Sequence, residues 1–167
     1  MRTLSVAPAE EMGEAARALS QAAVLKVKVD GGADLDRLRA VHAAAPDAKL
    51  VVDANESWSV EQTREWLPEL PALGVAVLEQ PLPAGRDTAI GTLDRSVPVC
   101  ADESFHDRSS FPGVEERYDM VNLKLDKTGG LSEALACVCE ARERGLPFML
   151  GCMVSSSLAI EPALLLA

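Results

Sequence analysis

Aromatic side chains are scarce: the 167 residues include three Phe, two Trp and one Tyr, 4% of the chain. A surface that stacks bases on rings needs more of them, so single-stranded nucleic acid is not an expected partner. Positive charge is short as well. Sixteen Lys and Arg stand against 26 Asp and Glu, a net charge of −10, which disfavours phosphate backbones and anionic membranes. No apolar run approaches the ~20 residues that span a bilayer. The start, Met1 to Val6, leads into Glu10, Glu11 and Glu14, so no secretory signal is expected. Histidine occurs twice, as His42 inside a helical stretch and His106 in a loop; both are read as surface residues. None of the four cysteines (Cys100, Cys137, Cys139, Cys152) forms a CxxC pair, and all are read as reduced thiols of a cytoplasmic protein. Zinc therefore lacks its usual imidazole and thiolate ligands. A glycine-rich dinucleotide fingerprint is missing too: Gly129-Gly130 opens a helix but lacks GxGxxG spacing.

What is present is a rhythm of short apolar strands and helical stretches. Strands are expected at Thr3–Val6, Leu25–Val29, Lys49–Val52, Val75–Leu78, Pro98–Ala101, Met120–Leu123 and Pro147–Leu150. Between them lie helical patterns: Ala7 to Gln21, Asp34 to Ala45, a run to about Leu70 capped by Ser59 with Gln62 as its capping-box partner, a short helix near Asp87–Asp94, and Gly130 to Arg144, stopped by Gly145. Residues 105–117 read as irregular or weakly helical, and a last helix starts near Ser155. Strands this short and this apolar are buried on both faces, as in parallel sheets. The βα period of about 25 residues suits a barrel or a doubly wound sheet. The expected fold class is α/β, a (β/α)8-type (TIM-like) barrel that is incomplete, with about seven βα units. Residues 1–167 are read as a single barrel domain.

The strand around Leu25-Lys26-Val27-Lys28-Val29 organises the rest. On a strand, side chains at i and i+2 share a face, so Lys26 and Lys28 stand side by side. Mutual repulsion and burial should lower the pKa of at least one of them toward neutrality, as a general base requires. An edge strand with a solvated lysine face would give the same local pattern; the ends of the other strands decide between the two. Asp53, Glu79, Asp102 and Lys124 follow strands three, four, five and six. The C-terminal strand ends of a barrel converge on its active site. A strand-terminal Asp is also a common helix or turn cap, but three such acids bracketed by lysines need a cation, and hard oxygen donors suit Mg2+. Asn55 and Gln80 are expected to orient the ligands. Lys28 and Lys124 lie four steps apart around an eight-membered ring, one for each face of a substrate α-carbon.

These residues resemble the enolase superfamily, whose lysine-and-Mg2+ chemistry is a known pattern. The motifs are Lys26-Val27-Lys28, Asp53-Ala54-Asn55, Glu79-Gln80-Pro81, Ala101-Asp102-Glu103-Ser104 and Asn122-Leu123-Lys124-Leu125-Asp126-Lys127-Thr128-Gly129-Gly130, with Gly151-Cys152-Met153. Together they resemble the dipeptide epimerases of the muconate-lactonizing subgroup, the L-Ala-D/L-Glu epimerase type. The resemblance implies an isomerase that removes and returns the α-proton of an Ala-Glu type dipeptide. It implies Lys28 and Lys124 as the two acid/base catalysts, and Asp53, Glu79 and Asp102 as Mg2+ ligands. It implies Lys26 at the substrate carboxylate, lowering the pKa of Lys28, and Cys152 lining the pocket, though a packed small residue is an equal reading there. Lys127 is read as structural or as a surface cation. Muconate cycloisomerase, o-succinylbenzoate synthase and N-acylamino acid racemase share the same lysines and metal and stay open. Against the family pattern, these residues are expected to lack the N-terminal capping domain and the eighth strand. A catalytically incomplete fragment, prone to associate with copies of itself through open edges, is the rival reading.

Overall fold

The computed structural model describes residues 1–166. They form two compact units, Met1–Val99 and Cys100–Ala167. In the first, β1 (Arg2–Leu4), β2 (Val24–Lys28), β3 (Lys49–Asp53) and β4 (Val75–Glu79) are parallel neighbours in chain order. The connections are helical: α1 (Ala9–Ala18), α2 (Asp34–Ala44), and α3 (Val60–Trp66) running on as a 3-10 turn over Leu67–Leu73. The strand β5 (Val99–Ala101) marks the boundary. In the second unit, β6 (Met120–Lys124) pairs in parallel with β5 and with β7 (Phe148–Gly151). Its helices are the short α4 (Phe111–Val114) and α5 (Leu125–Thr128), the longer α6 (Leu131–Arg144), and the short α7 (Ser157–Ile160). Parallel strands joined by helices, seven among the described residues, are the repeat of an incomplete (β/α)8-type barrel.

Side-chain parity sorts the first unit. Leu25 and Val27 of β2, and their partners Leu50 and Val52 of β3, are fully buried on one face. Lys26, Lys28 and Asp53 take the other. On β4 the pairing slips: Leu50 faces Val75, but Val51 faces Val77. One extra residue, Ala76, is absorbed as a bulge, so Val75 and Leu78 both reach the buried face although they are three apart.

Two helix ends follow from local chemistry. Ser59 accepts from the Gln62 N–H at 3.1 Å, and the Gln62 side chain accepts from the Ser59 N–H at 2.9 Å, the expected capping box. Gly145, at φ 66°, closes α6 in the left-handed region that glycine occupies without cost. The stretch expected as one helix to Leu70 instead tightens into 3-10 geometry at Leu67, because Pro68 and Pro71 remove two N–H donors. Residues 105–117 are weakly helical, as expected: a 3-10 turn at Arg108–Ser110, then α4. No helix among the described residues is long and apolar enough to cross a membrane.

Candidate active site

In the first unit, register lines up charge at the strand ends. Lys28 pairs with Asp53, and Asp53 with Glu79, so three charged residues form a row across three parallel strands. Neighbouring strands lie ~4.8 Å apart, within reach of one another's carboxylates and ammoniums. The bulge makes the row: flush pairing from Val75 onward would set Leu78 opposite Asp53. Asp53 and Glu79 are fully buried. Lys26 Nζ lies 2.7 Å from Asp53 Oδ2 and 2.7 Å from Glu79 Oε2. Lys28 Nζ lies 2.6 Å from Asp53 Oδ2 and donates to Asn55 Oδ1 at 2.6 Å. Two carboxylates and two ammoniums compensate each other, as buried charges must.

Lys26 does not titrate downward. Burial disfavours its charge, but Glu79 and then Asp53 outweigh that, and its pKa rises above the ordinary lysine value. In sequence, lysine stands beside lysine, and only strand register brings the two carboxylates alongside.

The loops beyond these strands are laced together. Asn55, Glu56 and Gln80 adopt positive φ (41°, 68° and 36°), a region that non-glycine residues enter only when held there. The Asn55 N–H donates to Asp53 Oδ1 at 3.0 Å, and the Glu56 N–H to the Gln80 carbonyl at 2.8 Å. Asn55 therefore contacts both Asp53 and Lys28. The Gln80 side-chain amide donates to the Leu82 carbonyl at 2.8 Å.

Asp34 is a positioning residue that the sequence reading missed. Fully buried, it accepts from the Gly31 N–H at 2.8 Å, Trp58 Nε1 at 2.8 Å and Arg37 Nη1 at 2.7 Å. It ties the loop after β2 to the loop after β3. An acid in a first helical turn looks like an ordinary dipole partner in sequence, and only the pairing with Trp58 marks it as more.

In the second unit, Asp102 sits just beyond β5 and is almost completely buried. Lys124 Nζ donates to its Oδ2 at 2.5 Å. Lys127 Nζ donates to its Oδ1 at 2.8 Å, to its backbone carbonyl at 2.6 Å and to the Asn122 carbonyl at 2.9 Å. Burial alone would raise the Asp102 pKa, but the Lys127 and Lys124 ammoniums bring it below the usual carboxylate value. The reverse holds for Lys127, where burial outweighs Asp102 and lowers the ammonium's pKa. Of the two readings of Lys127, the structural one fits; its side chain is only 13% exposed. Cys152, just past β7, is an exposed free thiol, and the structure records all four cysteines as free.

Among the described residues, the buried carboxylates of Asp53, Glu79 and Asp102 make up the acidic set that could hold a metal ion. All their donors are hard oxygens, which fits Mg2+ and not zinc. Neither histidine joins them. His106 is exposed; His42, expected at the surface, is half-buried, with its Nδ1 buried beside Gly74.

Parallel βα repeats with lysines and carboxylates at the C-terminal strand ends define a barrel-type domain whose buried acids could hold a hard cation. The chain belongs to the enolase C-terminal domain-like family, whose model matches residues 10–167. It is 48% identical over 165 residues to the L-Ala-D/L-Glu epimerase of Escherichia coli (strain K12), covering 98% of this chain and 51% of that protein. It is 44% identical over 165 residues to an N-acetyl-D-glutamate racemase of Pseudoalteromonas sp, covering 99% and 52%. Among solved structures, an enolase family member from Agrobacterium tumefaciens with bound sodium and L-Ala-L-Glu matches with a TM-score of 0.97 and 42% identity, over 99% of this chain and 51% of that one. A dipeptide epimerase from Cytophaga hutchinsonii, complexed with Mg and D-Ala-L-Val, matches with a TM-score of 0.92 and 27% identity, over 99% and 47%. The chain spans about half the length of the curated relatives it matches.

Proposed function

We propose that this chain forms part of a Mg2+-dependent epimerase that inverts the α-carbon of a dipeptide of the Ala-Glu type. The observation that carries the reading is the pattern at the strand ends: Lys26, Lys28, Asp53 and Glu79 in one unit, Asp102 and Lys124 in the other. Asp53, Glu79 and Asp102 would hold the ion. When bound, Mg2+ supplies positive charge for the substrate carboxylate, whose α-proton is otherwise a very weak acid. Lys28 takes that proton from one face, and Lys124 delivers a proton from the other. Removal by one lysine and return by its opposite inverts the centre. Lys26, cationic beside Asp53 and Glu79, contacts the substrate carboxylate. Asn55 holds the Lys28 ammonium in place. Cys152 lines the substrate pocket.

The Pseudoalteromonas relative supports a second reading, racemisation of an N-acylamino acid. The two substrates share an acylated glutamate; the dipeptide adds an ammonium on the acyl group. Incubation in D2O with L-Ala-L-Glu and, separately, N-acetylglutamate distinguishes them by which α-proton exchanges.

The two-lysine assignment has its own test. In the protein, Lys28→Ala should lose α-proton exchange on one substrate epimer, and Lys124→Ala on the other, each by at least about a hundredfold for a lost general base. Equal loss on both epimers in both variants, with the fold intact, would refute the two-face mechanism.

A further inference from the structure

The motif Lys127-Thr128-Gly129-Gly130 is not used by the proposed chemistry, yet Lys127 is tied into it. A lysine ammonium has three N–H donors. At Lys127 they meet three protein acceptors: Asp102 Oδ1, the Asp102 carbonyl and the Asn122 carbonyl. That leaves none for a substrate or a moving proton. Two of the three acceptors are backbone, so the ammonium is pinned to β6 and to the turn after β5, and it pins the Asp102 carboxylate in turn. Lys124 takes the other oxygen, Oδ2.

The local chain is shaped for this reach. Side chains on a helix lean toward its N-terminus, so Lys127, on the single turn α5, folds back over the end of β6. Gly129 and Gly130, at φ 76° and 135°, stop the turn before α6 begins. Thr128 Oγ1 contacts the carbonyls of Leu125 (3.3 Å) and Gly130 (3.1 Å) across that break. The Phe105 ring lies 6.0 Å from the ammonium.

We propose that Lys127 is a positioning residue for the metal: it clamps one oxygen of Asp102 so that the carboxylate keeps a single orientation, and thereby sets the Mg2+ affinity of the site. The inference rests on the metal reading above. A partner behind a ligating carboxylate typically contributes ten- to a hundredfold in affinity.

The test measures Mg2+ binding to Lys127→Met by calorimetry and by the melting shift that Mg2+ produces. Each variant is its own reference with and without the ion, so a general loss of stability cancels. At least tenfold weaker binding is expected. Lys127→Gln, which keeps two donors for the carbonyls but no charge, serves if the Met variant does not fold, and should move the same way. In turnover, the loss should appear as a raised Mg2+ requirement that added Mg2+ overcomes. Unchanged Mg2+ affinity overturns the proposal, as does a loss of turnover that Mg2+ cannot restore, which would make Lys127 catalytic. An unaltered protein that ignores Mg2+ overturns the metal reading, and this inference with it.

Discussion

Asn122 lies so close over Gly151 that a Cβ there would overlap the Asn122 amide. Gly151 is thus a packing requirement, not a turn. Gly151→Ala should push the Asn122 side chain out of its buried position. Overpacking of this kind costs about 1–3 kcal/mol, which a thermal melt would register as a fall of roughly 3–10 °C. The charged residues of the candidate site were legible from the strands: Lys28, Asp53, Glu79 and Lys124 each end one, Asp102 follows one, and Lys26 shares a face with Lys28. Asp34 and Lys127 were not. Their importance lies in what they touch across the chain, Trp58 in one case and Asp102 in the other, and no local pattern announces a partner 24 or 25 residues away.

Elements were readable where local chemistry decides them. The capping box at Ser59 is an example, and it carries a further tie: the Gln62 amide also donates to the Gly31 carbonyl at 2.8 Å. Ser59→Ala removes the acceptor for the Gln62 N–H and should cost about 1 kcal/mol, measurable by urea unfolding with the slope unchanged. The bulge in β4 was not readable. Val75-Ala76-Val77-Leu78 looks like any buried strand, and only pairing with β3 reveals that Ala76 is surplus. Yet that one residue brings Glu79 level with Asp53. The 3-10 turn at Leu67–Leu73 could have been read from Pro68 and Pro71, which the helical pattern overshadowed.

At the scale of the molecule, metal binding should appear as stability. An ion present at a hundred times its Kd adds ~2.7 kcal/mol to the native state, roughly a 5–10 °C rise in Tm for a chain of this size. The rise should be seen with Mg2+ in the unaltered chain and be lost in Asp102→Asn. A Tm indifferent to Mg2+ in both would mean that the carboxylates do not assemble a site in this chain. The number of βα repeats and their order were legible from the spacing of apolar runs. The internal wiring of each unit was not, since ion pairs follow register. Lys26 and Lys28 stand against Asp53 and Glu79, and Lys124 and Lys127 against Asp102. Each acid is thus matched with cations of its own unit, and losing one member leaves an uncompensated charge inside the fold. Inheritance should feel this as linkage: a change at one of these positions is tolerated best when a second change restores the balance.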